Sequence, residues 1–263
     1  MARLYHIDAF TSEKLRGAQA PVIVVDRPVE TKLGLAVAAE LNQPVTTFLR
    51  PTEDGGAVQF FDTKMEYGLV GHAGLAAGLL ALTRLHPGRS SIVLKSPPGG
   101  VLPVAREGDA IVLEFGAAPG HAVPGIPNLD ETFPGVAVRE RLAAEFGSVA
   151  VLEDEESVRN LAPDFAKALG VPGDMVIATA PGRKADFVSR VFAPKFDLPE
   201  DPVCGTAHRI LTPYWAAKLG RNRLVAHQVS ARGGHFTCEN RGDRVRLGGQ
   251  AVVLFEAEFT IPG

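Results

Sequence analysis

The sequence predicts a strand-rich α+β protein built from two similar halves. Its 263 residues include 28 glycines and 20 prolines, and that share of breakers argues for many short strands and turns and against a helical bundle. Short β-branched and aromatic runs recur between the breakers. Each half also holds one strongly apolar helix that starts at a glycine, over about 71–84 and 205–219, set among strands.

Taken in chain order, residues 4–10 alternate as a strand does, and a loop around Gly17-Ala18-Gln19 leads to a β-branched run at 21–25. Thr31 opens a helix that carries Leu33, Leu35, Val37, Ala38 and Leu41 and ends near Asn42. Residues 46–49 and 58–61 read as paired strands around an Asp54-Gly55-Gly56 turn. Residues 71–82 are apolar or small on nearly every side, and a helix without a polar face is a buried helix. Strands at 92–95, 100–106 and 110–115 follow, with turns at Pro97-Pro98-Gly99 and Glu107-Gly108-Asp109.

From 116 the composition shifts: Pro119, Pro124, Pro127 and Pro134 stand in a stretch with little periodicity. Residues 118–135 are therefore read as a linker between an N-terminal domain, 1–117, and a C-terminal domain, 136–263. A helix at 139–145, a strand at 148–152, a helix from Glu155, and strands at 175–179 and 187–192 are expected next. The acids from Glu153 to Glu156 suit the start of a solvated helix. In the second long helix Ala207, Ile210, Leu211, Tyr214, Trp215 and Leu219 fall at helical spacing, and Pro213 inside it should bend it or remove one hydrogen bond. The tail is strand-rich, at 223–229, 234–239, 245–247 and 251–261.

Lysine and arginine number 27 against 30 acids, a net charge of −3. That balance offers no electrostatic case for nucleic acid or an anionic membrane as partner. No apolar run reaches the roughly 18 residues that a membrane span needs, and the start turns polar too early for a signal peptide. A soluble, cytoplasmic protein is expected. Two cysteines, Cys204 and Cys238, exclude a disulfide framework.

The densest chemistry lies in Glu200-Asp201-Pro202-Val203-Cys204-Gly205-Thr206-Ala207-His208, where acid, thiol, hydroxyl and imidazole meet at the start of the second buried helix. Backbone N–H groups at such an end favour an anion. A thiol there should have a lowered pKa, and Gly205 admits a ligand close to the backbone. The plainer reading is that Asp201 and Thr206 cap the helix. Gly71-His72-Ala73 opens the first buried helix in the same way. A lone histidine is more often structural than catalytic, but two helix ends facing one cleft would hold a carboxylate or an enolate-like oxyanion. Nothing matches a zinc site, a P-loop or a dinucleotide fingerprint.

Asp8-Ala9-Phe10-Thr11, Gly71-His72-Ala73, Asp186-Phe187-Val188-Ser189-Arg190, the 200–208 cluster, Pro213-Tyr214-Trp215 and Gln228-Val229-Ser230-Ala231-Arg232-Gly233-Gly234 stand in one order. In that order they resemble the phenazine biosynthesis PhzF-like family, which shares its fold with diaminopimelate epimerase. The resemblance covers nearly the whole chain. It implies two pseudo-symmetric domains, each a curved, mostly antiparallel sheet around a central apolar helix, with the last strand returning to the N-terminal domain. It implies a site in the interdomain cleft, a homodimer, and neither metal nor organic cofactor. Asp201 and His72 match family site positions. Gly71, Ala73, Gly205 and Thr206 match positions that hold the substrate, with Thr206 keeping the hydroxyl of a family serine. Cys204 falls where the related epimerases carry one of two catalytic cysteines.

Three departures follow from the same alignment of motifs. The family's acid/base glutamate lies in an Asn-x-x-Glu-Thr-x-Phe pattern, and Asn42-Gln43-Pro44-Val45-Thr46-Thr47-Phe48 puts Val45 there. Val70 stands where epimerases carry their other cysteine. A Gly-Asn-Pro pattern in the front loop has become Gly17-Ala18-Gln19. The reading is an isomerase-like enzyme that moves a proton on a small carboxylated, cyclic or acyclic, metabolite. Cys204, Asp201 or His72 would stand in for the missing glutamate. The alternative is a non-catalytic metabolite-binding protein derived from such an enzyme.

Overall fold

The computed structural model describes residues 2–97 and 99–260. Pro98 of the expected 97–99 turn and Ile261 at the end of the expected last strand lie outside them. The chain divides into two compact units, Met1–Glu114 with Gly248–Gly263, and Phe115–Leu247.

Unit 1 runs β1 (Ala2–Ala9), β2 (Ala18–Val24), α1 (Thr31–Leu41), β3 (Thr46–Thr52), β4 (Gly55–Phe61), β5 (Glu66–Tyr67), α2 (Gly71–Leu80), β6 (Ser91–Ser96), β7 (Gly100–Glu107) and β8 (Ala110–Gly116). Antiparallel ladders join β1 to β2, β3 to β4, β4 to β5, β6 to β7 and β7 to β8. The β2–β3 and β4–β6 pairs are parallel, each spanned by a helical crossover. Helix α2 touches β1, β2, β3, β6 and β7. Its apolar periphery explains its place: Ala73, Leu75, Ala76, Ala77 and Leu80 are all buried. A Cβ on Gly74 would come within 2.7 Å of Leu102, and one on Gly78 within 2.7 Å of Val104, so both glycines let β7 lie against the helix. The helix then widens into a π turn over Ala81–Leu85. Helix α1 covers the other face of β3 and β4, where Val37, Ala38, Phe48 and Phe61 form a second core. Asn42 ends it in a left-handed conformation, its N–H bonded to Ala38 C=O.

Unit 2 runs β9 (His121–Ala122), α3 (Leu129–Thr132), β10 (Glu140–Ala144), β11 (Gly147–Val151), α4 (Glu155–Arg159), α5 (Phe165–Leu169), β12 (Met175–Pro181), β13 (Phe187–Ala193), β14 (Leu198–Asp201), α6 (Gly205–Leu219), β15 (Arg223–Gln228), β16 (Gly234–Asn240) and β17 (Arg244–Gly249). The ladders are antiparallel except β11–β12 and β13–β15. Helix α6 lies against β15 and β16. Trp215 seats it on β12 and β13, stacking on Phe187 at 5.7 Å and donating from Nε1 to Thr179 Oγ1 at 3.0 Å. The final strand, β18 (Ala251–Phe259), belongs to unit 1 and pairs antiparallel with β1. The fold is α+β, a mostly antiparallel sheet in each unit with an apolar helix against it.

Two expectations need correction. The stretch 139–145 is a strand, not a helix: its Ala, Leu, Glu and Arg content favours helix locally, but hydrogen bonding to β11 prevails, with Leu142 turned into the core. The stretch 118–135 is not a bare linker. Leu129 and Phe133 are almost wholly buried beside Val158, Ala168 and Phe192, so its prolines shape a packed segment of unit 2.

Pro213 leaves α6 continuous. The ring deprives Arg209 C=O of its intrahelical donor, and Ala118 N–H bonds that carbonyl at 3.2 Å. Arg209 Nε in turn donates to Gly116 C=O at 2.8 Å. The proline therefore creates the acceptor that ties the 116–118 segment to the helix.

Candidate active site

In unit 2, β14 delivers Asp201 to the start of α6, and the 202–204 turn lies between them. Cys204 is the N-cap, in an extended conformation, and its side chain makes no capping hydrogen bond. Asp201 Oδ1 instead accepts from Val203 N–H at 3.0 Å. Asp201 thus braces the turn before α6, and the N–H groups of the first helical turn make that helix end partly positive.

The turn is held from behind by the end of β15 and the loop after it. Gln228 is 1% exposed, and its Oε1 accepts from Cys204 N–H at 2.8 Å while its Nε2 donates to Asp201 C=O. Ser230 Oγ donates to Pro202 C=O at 2.8 Å. A Cβ on Gly234 would come within 2.7 Å of the Val203 side chain, so glycine is needed for that contact. On the other flank Arg190 grips Glu200 with two hydrogen bonds, at 2.7 and 2.9 Å, and donates to Leu161 C=O at 2.9 Å. Arg190 is thus a structural clamp. Gln228, Ser230 and Gly234 were visible only as members of an ordered motif. Nothing in their residue types signals that they position the Asp201–Cys204 turn.

Cys204 departs from its expected chemistry. It is 6% exposed, with Sγ 3.9 Å from Met175 Sδ. Burial, then the charge of Asp201, pushes its pKa well above the ordinary thiol value. The N–H groups of Ala207 and Thr206 only partly offset this. A helix end lowers a thiol pKa where the thiol is also hydrated or beside a cation; here it is dry and beside a carboxylate. Cys204 is a neutral thiol, not a ready base. His208 also leaves the reactive cluster. It is wholly buried, donates from Nδ1 to Cys204 C=O at 2.8 Å, and stacks on Phe236 at 3.7 Å. Burial lowers its pKa to about 4, so it is a neutral core imidazole at pH 7.

In unit 1, Gly71 begins α2, with Val70 as an extended N-cap and no side-chain cap. His72 is half-buried and Ala73 fully buried. Val45, just before β3, is 7% exposed between Pro44 and the buried Thr46, an apolar side chain without a titratable proton. Asp8 on β1 is fully buried and its Oδ2 accepts from Leu15 N–H at 2.8 Å, which shapes the front loop. Gly71, His72 and Ala73 stand together in unit 1, and Asp201, Cys204, Gly205 and Thr206 in unit 2. Among the described residues no group of three or more His, Cys, Asp or Glu side chains gathers as a metal site would. No helix there is long and apolar enough to cross a membrane.

A family model described as phenazine biosynthesis-like protein matches residues 7–257. An uncharacterized isomerase of Pseudomonas aeruginosa is 35% identical over 250 residues, 95% of each chain. The crystal structure of a PhzF-family phenazine biosynthesis protein from Enterococcus faecalis superposes with a TM-score of 0.93 at 33% identity, covering 98% of this chain and 99% of that one. A hydroxyproline epimerase from Agrobacterium vitis shares the fold, with a TM-score of 0.63 at 11% identity, covering 97% and 90%.

Proposed function

From the premise that this chain belongs to the phenazine biosynthesis-like family, whose relatives include named isomerases, we propose an isomerase-type enzyme that moves a proton on a small carboxylated metabolite. The observation that carries this reading is the partly positive start of α6, with Asp201 bracing the turn just before it. The substrate carboxylate rests at the start of α6 on the N–H of Gly205, with the Thr206 hydroxyl as a further donor. Asp201 takes the proton from one carbon and returns it to another, the work of a general acid/base group. Cys204 contributes shape and its backbone, because its thiol stays protonated. No resident cofactor is invoked.

A second reading has its own observation. Val45 is an apolar, buried residue where the family pattern places its acid/base glutamate, which suits a protein that binds a metabolite and leaves it unchanged.

One experiment separates the two. The protein is incubated with a cell metabolite extract in D2O, and captured and released carboxylates are analysed by mass spectrometry. Enzymatic proton transfer puts one solvent deuterium on carbon of a captured carboxylate. The Asp201→Asn variant should cut that rate by about 100-fold or more while capture persists. Capture without deuterium in the wild type supports the binding protein, and unchanged exchange in Asp201→Asn refutes the role given to Asp201.

A further inference from the structure

The outer face of the β15–β16 hairpin carries a feature that the proposed reaction does not use. Strand alternation turns Leu224, Ala226, Gln228, Gly234, Phe236 and Cys238 inward, while Val225, His227, His235 and Thr237 face outward or stand half-buried. His227 and His235 are direct partners in the antiparallel ladder. Their ring centroids lie 4.5 Å apart, with the planes tilted by 33°.

We propose that His227 and His235 form a binding site for a divalent transition-metal ion, held by one imidazole nitrogen from each ring and completed by water. Metal–nitrogen bonds of about 2.0–2.1 Å place two donor nitrogens roughly 3–3.5 Å apart. Direct partners on one face of an antiparallel pair hold their Cβ atoms about 4.5–5.5 Å apart, so side-chain rotation alone brings the two edges to that spacing. The backbone register has already set most of the chelate geometry. Imidazole suits copper, nickel and zinc, and affinity rises from Ni2+ to Cu2+ and falls again at Zn2+. Glu155 lends negative charge to this face, while Arg159 and Lys184 oppose it. With two protein ligands and that mixed field, the site is of moderate affinity and selects copper first.

The site lies one ladder pair from Gln228 and Gly234. A bound ion closes the end of the hairpin and steadies the loop that carries Ser230 to Pro202.

The test uses tag-free full-length protein and the metal salts alone. Calorimetry with Ni2+ and paramagnetic resonance with Cu2+ should give one site per chain, with two nitrogen donors resolved on copper. His235→Ala and His227→Ala should each weaken binding at least tenfold and reduce the nitrogen count to one. Because His235 is exposed, its replacement leaves the fold intact, which a thermal melt without metal checks. Saturating Ni2+ should raise the wild-type Tm and leave that of His235→Ala unchanged. Equal affinity in wild type and His235→Ala, or a copper spectrum with a single nitrogen in the wild type, overturns the proposal.

Discussion

Gln228→Ala is expected to weaken the fold at the candidate site more than any surface truncation would. The side chain is 1% exposed and fills two roles, acceptor for Cys204 N–H at 2.8 Å and donor to Asp201 C=O. Truncation strands both backbone groups away from water. Each buried, unmatched polar group costs about 1–3 kcal/mol, so a loss of about 2–6 kcal/mol is expected, at the lower end if water enters the space. For a chain of this size about 1 kcal/mol moves Tm by about 2–4 °C, and the melt should fall by roughly 4–24 °C. Gln228→Glu is the sharper arm. A protonated carboxyl can accept from Cys204 and donate to Asp201 as the amide does, whereas a carboxylate there is buried and loses the donor. Its folded pKa is therefore raised above the unfolded value of about 4.3. The variant should match the wild type most closely near pH 4 and fall away as pH rises through the folded pKa. Thermal and urea melts of the wild type and both variants, compared at each pH, measure this. A Gln228→Ala melt within about 1 °C of wild type, or a Gln228→Glu deficit that ignores pH, would show that the clamp does not hold the turn.

His208 makes a pH prediction of opposite slope. Its folded pKa of about 4 lies below the ordinary 6.5, so the unfolded chain binds the proton first and stability is lost as pH falls from about 6.5 towards 4; at pH 5 the loss is about 2 kcal/mol. His208→Phe should flatten this part of the urea-midpoint profile, and a variant profile parallel to the wild type would refute the assignment. Cys204 and Cys238 are both buried with raised thiol pKa values, Cys238 to about 12. Neither should react with a disulfide-exchange reagent at pH 8 until urea is added, and rapid native labelling of Cys204 would restore it as a candidate thiolate.

Much of the fold was legible because its strongest signals are local. The all-round apolar character of 71–82 marks a buried helix, and the spacing of Ala207, Ile210, Leu211 and Trp215 marks another, whatever surrounds them. The 139–145 stretch misled because helix-forming residues become a strand once β11 supplies hydrogen bonds. The 118–135 stretch misled because its proline content hides that Leu129 and Phe133 reach a core built by distant residues.

The candidate site divides along the same line. By itself the sequence determined which groups exist to do chemistry: an acid, a thiol and glycines at one helix start, a histidine at the other, and valine at position 45. Residue type and order suffice for that. Only the tertiary structure decided their chemical state and support. Desolvation and the neighbouring carboxylate, not proximity to a helix end, set the Cys204 thiol. Stacking on Phe236 makes His208 a core residue. A glutamine 24 positions away from Cys204 holds the turn in place. Burial and hydrogen bonding between residues remote in sequence are properties of the packed chain, and that packing is why Asp201, rather than Cys204, is the proton carrier proposed for unit 2.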